Sequence, residues 1–228
     1  MAELATLPDD ASAVDPALDR LIQSLVATIP AVDYASATAR RDGRHSTVAF
    51  SSDLAVAVDE GQYAAEAGPC IDAADGTVRS VEDITTVIEW PQFRDAAMKM
   101  GLGSSLSIPL FTASGDPSIA LNLYAREPMA LSALAGAIVA EFYREAAPTQ
   151  STPDESLDEG SRDLVCGVLR ALQVRDEIQR GIGIVMGRDQ INAAAGYARL
   201  RVEAADADTS ILTHVNLLSA RHAGTDSH

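Results

Sequence analysis

Lysine is almost absent from this chain of 228 residues: Lys99 stands alone beside sixteen arginines, and 17 basic residues face 33 acidic ones. A formal net charge of -16 excludes a general attraction to DNA or to an anionic membrane over the whole surface. Cysteine is as sparse. Cys70 and Cys166 lie far apart, which excludes a disulfide scaffold. With four histidines scattered at 45, 214, 222 and 228, they also lack the close four-ligand spacing of a zinc site. No metal and no cofactor is expected. No apolar run reaches the 18 or so residues of a membrane helix. Met1 to Asp15 carries no basic residue and no long apolar stretch, so no signal peptide is read there. A cytoplasmic protein with no membrane contact is the expectation.

What is present falls into two parts. Asp15-Pro16 reads as an N-cap and first-turn proline. Leu18, Leu21, Ile22, Leu25 and Ile29 then stripe an amphipathic helix that ends near Pro30. Strands are expected over 33–40 and 46–51, joined by the turn pair Asp42-Gly43. Residues 53–74 read as helical pieces broken at Gly68-Pro69, followed by a short strand at 78–81 and a helix opening at Pro91 and stopping at Gly101. The clearest hairpin is next. Leu106, Ile108 and Leu110 alternate with Ser105, Ser107 and Pro109. After the turn Ser114–Pro117, Ile119, Leu121 and Leu123 alternate with Ala120, Asn122 and Tyr124. Pro109 cannot donate to a ladder and marks an edge or bulge. Leu131, Leu134, Ile138 and Phe142 stripe a helix to about Ala146.

Residues 148–160 form a linker with two prolines and four acids. From Ser161 to Ala220 the pattern is helical throughout. Val165, Val168, Leu172, Ile178, Ile182 and Val185 line a long helix, and Ile191–Val202 and Ile211–Leu218 stripe two more. The reading is α+β: residues 14–147 as a sheet-and-helix domain, 148–160 as linker, 161–220 as an all-α unit. The charge divides at the same place. Residues 1–160 hold 9 basic and 25 acidic residues, whereas 161–221 hold 8 arginines and 7 acids. Only the helical unit could meet a polyanion without strong repulsion.

Several constellations carry chemistry. Gly181, Gly183 and Gly187 lie inside a helical period with no strand before them and no Gly-Lys-Ser/Thr after, so they read as close helix approaches and not as a phosphate loop. Arg175, Arg180, Arg188, Arg199 and Arg201 cluster on the first two tail helices. Guanidinium groups can grip phosphates and Tyr197 could stack on a base, or the arginines could simply form a solvated, ion-paired face. Trp90, Phe93, Phe111 and Tyr124, with Ser105, Ser107 and Asn122, could line a small-molecule pocket or could be core. Cys70 opens a helix, where the dipole lowers a thiol pKa, but no histidine is near in sequence. A packed thiol is the better reading, and His45 reads as a surface residue beside its turn.

The chain resembles the GAF–ANTAR regulators of actinobacteria over about residues 14–219. In the first domain the resemblance rests on Gln62-Tyr63, Gly68-Pro69-Cys70-Ile71-Asp72-Ala73, Glu89-Trp90-Pro91-Gln92-Phe93, Ser104–Ser107 and Ala120–Pro128. It implies a GAF domain, an antiparallel sheet flanked by helices that senses a small-molecule ligand or a protein signal and supports a homodimer. Candidate ligand contacts are Tyr63, Cys70, Trp90, Phe93, Ser105, Ser107, Asn122 and Tyr124. In the tail, Leu172, Arg175, Asp176, Ile178, Gly183, Ile184, Met186, Arg188, Ile191, Tyr197, Leu200 and Arg201 resemble ANTAR, a three-helix RNA-binding module, here on a long connecting helix. The resemblance implies binding of structured leader RNA hairpins, with transcription antitermination as the outcome. Candidate RNA contacts are Arg175, Arg180, Arg188, Tyr197 and Arg201. Where the family has an Ala-Lys pair this chain has Gly181-Ile182, its Ser-Gln-x-x-Asn stretch is Ala204–Asp208, and a basic position is Ser210. Each lost cation weakens phosphate contact. A ligand-sensing or dimerisation protein whose ANTAR unit no longer binds RNA is therefore the alternative. An enzyme is not expected: thiol reductase chemistry needs a resolving thiol, and Cys70 is the only cysteine of its domain.

Overall fold

The computed structural model describes residues 1, 3–8, 10–143 and 156–225. Helix α1 (Ala11–Thr28) leads into the hairpin β1 (Tyr34–Arg41) and β2 (Arg44–Phe50). Helices α2 (Asp53–Ala65) and α3 (Pro69–Ala74) follow, then β3 (Arg79–Val81) and α4 (Pro91–Lys99). The second hairpin is β4 (Ser104–Phe111) and β5 (Pro117–Ala125), and α5 (Ser132–Phe142) closes the first half. The second half is α6 (Glu159–Asp189), α7 (Ala193–Asp206) and α8 (Ile211–Thr225). The five strands form one antiparallel sheet in the order β2-β1-β5-β4-β3. The architecture is thus mixed α+β, a sheet with helices plus a helical region.

Local chemistry explains most boundaries. Asp42 and Gly43 both take positive φ, 50° and 73°, the backbone that a two-residue hairpin loop requires. Pro69 and Pro91 stand at the first turns of α3 and α4, where the missing N–H costs nothing. Gly101, at φ 71°, lies just past the end of α4. Pro109 pairs with Ala120 on one side, whereas β3 covers β4 only from Ser105 to Ser107, so the proline lies on a locally free edge. One boundary corrects the sequence reading. The N-cap of α1 is Asp10, whose carboxylate accepts from the Ser12 amide at 3.0 Å, and Pro16 lies inside the helix. Asp15 pairs with Arg41 instead. The expected extension of α5 to Ala146 falls outside the described residues, as does most of the linker, although Leu157 is buried and Glu159 already begins α6.

The sheet has two different faces. Leu106, Ile108, Leu110, Ile119, Leu121 and Leu123 point one way, and α1, α5 and the first half of α6 cover them. Each such fully buried side chain contributes about 1.5–3 kcal/mol. Ser36, Thr38, Ser105, Ser107, Asn122 and Tyr124 point the other way, beneath α2 and α3, and all are buried too. Helix α6 belongs to both cores. Leu164, Val165 and Val168 pack in the sheet core, and Ile178, Ile182 and Val185 form a second core with Leu200 and Val215. Gly181 permits this second packing: a Cβ there would lie 2.5 Å from a Val215 methyl. Gly183 and Gly187 face open space, so the close-approach reading holds at Gly181 and not at those two.

Candidate functional site

Cross-strand register assembles a polar cluster in the first half. Ser107 lies opposite Asn122, and Asn122 opposite Ser36, so three strands contribute one polar row. Ser105 lies opposite Tyr124 in the next row. Helix α2 lays Asp59, Gln62 and Tyr63 over these rows; the i, i+3, i+4 spacing puts all three on one helical face.

Asp59 is the hub, completely buried. Tyr124 donates its hydroxyl to Asp59 Oδ1 at 2.6 Å, and Thr47 donates to Oδ2 at 2.9 Å. The Tyr63 hydroxyl lies 2.8 Å from both Thr38 and Thr47. Asn122 donates to Thr38 at 3.0 Å and to Ser36 at 3.2 Å. Gln62 accepts from the Cys70 amide at 2.9 Å, fixing the start of α3. Removal from water raises the Asp59 carboxyl from 3.8 to about 6, because the hydroxyl donors offset only part of the desolvation. Burial also pushes the pKa values of Tyr63, Tyr124 and Cys70 up, with the nearby Asp59 charge adding to it. For Cys70 this reverses the influence expected from a helix start: the thiol stays protonated. Three buried polar atoms in this region accept and donate no hydrogen bond, Ser105 Oγ, Ser107 Oγ and Asn122 Oδ1.

Of the eight candidate ligand contacts, Tyr63, Cys70, Asn122 and Tyr124 come together in this cluster, with Ser105 and Ser107 beside them on β4. Phe93 belongs to an adjoining apolar cluster with Ala55, Val58 and Ile84. Trp90 is half-buried at the start of α4, its ring 5.7 Å from the Arg79 guanidinium, and it lines an open groove of about 600 Å3 with Val87, Ile88 and Met129. Sequence reasoning missed Asp59, Thr38 and Thr47, and it read Gln62 only as part of the Gln62-Tyr63 motif and not as a contact. His45 is half-buried and stacks on the Tyr63 ring at 6.3 Å.

The tail arginines have diverse surroundings. Arg180 is exposed. Arg188 bonds Asp189 at 2.7 Å and Glu203 at 2.5 Å, and Glu203 also meets His214 at 3.2 Å. The carboxylate partners push the Arg188 guanidinium pKa up, and Arg188 in turn holds Glu203 below the usual carboxylate range. Arg199 reaches Asp189 at 3.5 Å, and Arg201 lies 5.9 Å from the Tyr197 ring. Arg175 turns toward the first half, donating to the Gly115 carbonyl at 2.8 Å with its guanidinium 4.5 Å from the Phe111 ring. Among the described residues, no group of three or more His, Cys, Asp or Glu is placed to hold a metal ion, and no helix is long and apolar enough to cross a membrane.

No protein-family model and no curated protein matches the chain. Among solved structures it is similar to a two-component sensor histidine kinase domain from Sinorhizobium meliloti 1021 (16% identity, TM-score 0.42, covering 76% of this chain and 93% of that one). It is also similar to a type II free methionine-R-sulfoxide reductase from Thermoplasma acidophilum (14% identity, TM-score 0.41, 70% and 95%). A third is the GAF domain region of a protein from Geobacter sulfurreducens PCA (16% identity, TM-score 0.40, 72% and 95%). The functional reading rests on the residues and their geometry.

Proposed function

We propose that this chain is a signal-responsive RNA-binding regulator of the antiterminator type. Its GAF-like first half senses a small molecule or protein signal, and its ANTAR-like helical unit binds structured leader RNA hairpins in the cytoplasm, as a homodimer. The observation that supports it best is α6: one continuous helix of 31 residues supplies side chains to both cores, so a change beneath the sheet has a stiff route to the arginine-bearing unit. The buried polar cluster around Asp59, with three unpartnered polar atoms, is the candidate sensory site. A thiol enzyme is not proposed, since burial keeps Cys70 protonated.

The test is a gel-shift titration of the full chain with a two-hairpin RNA at several salt concentrations. The expected result is binding that weakens steeply with salt, as released counterions require, and that weakens further in Arg180→Ala and Arg201→Ala. Absence of binding at low salt overturns it. A second reading has its own observation: Arg188 is neutralised by Asp189 and Glu203, which favours a helical unit kept for dimerisation or partner docking. That reading predicts no RNA binding at any salt and an intact dimer.

A further inference from the structure

The loop between β4 and β5 reaches out of the first half and into the helical unit. Ala113 is fully buried in the second core, among Ile178, Ile182, Val185, Leu200 and Val215. The next two residues offer their carbonyls to α6. Ser114 O accepts from Gln179 at 2.6 Å, and Gly115 O accepts from Arg175 at 2.8 Å. Phe111, at the end of β4, lies under the Arg175 guanidinium. Gly115 has φ 80°, and a Cβ on it would run into the Gln179 amide, so this close seat needs glycine. Ser114, Asp116 and Gln179 also share a groove of about 410 Å3 with Tyr197.

Two of the five candidate RNA contacts therefore face the first half: Arg175 bonds its loop, and Tyr197 lines a groove with it. We propose that loop 112–116 is an autoinhibitory clasp that occupies the RNA-facing side of the helical unit. RNA and the seated loop compete for Arg175 and for access to Tyr197, and Asp116 sets a carboxylate where a phosphate would have to come. Strands β4 and β5 carry Ser105, Ser107, Asn122 and Tyr124 in the halves away from the loop, so the sensory cluster and the clasp are parts of one hairpin. A signal that shifts the hairpin releases the loop, and RNA binding in turn favours the released state, since the coupling is reciprocal.

This inference rests on the RNA-binding reading. Its test uses the full chain and two substitutions that leave every candidate RNA contact in place. Gln179→Ala removes one anchor of the loop, and Gly115→Ala makes the seat too tight. Both variants are expected to show faster hydrogen exchange over residues 112–116. Both should bind a two-hairpin RNA more tightly than the parent, by roughly fivefold for Gln179→Ala, the worth of one ordinary hydrogen bond. Unchanged or weaker RNA affinity in both variants, with the parent binding RNA, overturns the clasp and leaves the RNA reading standing. Exchange that stays slow in both variants also overturns it. Failure of all three proteins to bind at low salt overturns the RNA reading and the clasp together.

Discussion

Tyr124 donates its hydroxyl to Asp59 across 2.6 Å in a region where neither side chain meets solvent. The hydrogen bonds from Tyr124 and Thr47 do not restore what the carboxylate loses on leaving water, and its pKa stands at about 6 against 3.8 unperturbed. A carboxyl raised in the folded state favours the fold while protonated. That contribution is complete below about pH 4 and is lost as pH rises through about 6. The expected size is about 3 kcal/mol. Asp59→Asn keeps an acceptor for Tyr124 and removes the charge. Its stability relative to the parent, from urea unfolding at pH 4 through 7, should move in its favour by up to that amount. A difference that stays flat with pH contradicts a charged, buried Asp59.

The sheet was readable from the sequence because period-2 alternation in 104–111 and 118–125 separates leucines and isoleucines from serines and asparagine, and because Asp42-Gly43 fits only a tight loop. The hub of the cluster was not. An acid within a helix reads as solvated. Asp59 becomes buried only when Thr47 of β2 and Tyr124 of β5 arrive beneath it, partners 12 and 65 positions away. One signal was available: Asp59, Gln62 and Tyr63 recur at i, i+3, i+4, a polar stripe on the face that packs inward. The start of α1 was missed for a related reason. Asp15-Pro16 and Asp10 both offer cap chemistry, and the choice is made by Arg41, which takes Asp15. The burial of Ala113 in the helical core had no sequence signature, since one alanine in a turn carries no period.

The glycines of α6 give a second prediction. Alanine at any of them gains helix propensity of about 1 kcal/mol. At Gly183 nothing lies within 4 Å of a new Cβ, so Gly183→Ala should stabilise by up to that amount. At Gly181 the new methyl meets Val215 at 2.5 Å, and overpacking of this kind costs about 1–3 kcal/mol. Gly181→Ala should destabilise on balance, and Gly181→Ala combined with Val215→Ala should recover part of the loss. Thermal unfolding of the four proteins checks the opposite signs; equal shifts at both glycines would contradict the α6–α8 contact.

The acids around Arg188 give a third. Asp189 and Glu203 hold its guanidinium at 2.7 and 2.5 Å on a side chain that is 43% exposed. Pairs this exposed contribute no more than about 1 kcal/mol, so Glu203→Gln should leave the fold intact. In the RNA-binding reading it releases a cation. The slope of log affinity against log salt should then steepen by up to about 0.9, the value for one added phosphate contact. Parallel salt titrations of parent and variant on the same two-hairpin RNA measure the change. An unchanged slope places Arg188 outside the contact.

The unpartnered hydroxyl of Ser107 decides what the polar face beneath α3 is for. Ser107 is 1% exposed and its Oγ makes no hydrogen bond, whereas Asn122 opposite it donates to both Ser36 and Thr38. A buried hydroxyl that satisfies nothing costs about 1–3 kcal/mol of desolvation, so Ser107→Ala should be neutral or stabilising. Asn122→Ala removes bonds that hold β1 to β5 and leaves a cavity, so it should destabilise by about 2 kcal/mol or more. Urea unfolding of the two variants tests the contrast. The informative deviation is a Ser107→Ala variant that loses more than about 1 kcal/mol, the worth of one satisfied hydrogen bond. That loss would mean the hydroxyl has a partner in solution, and the same variant should then lose its thermal response to whichever small molecule stabilises the parent.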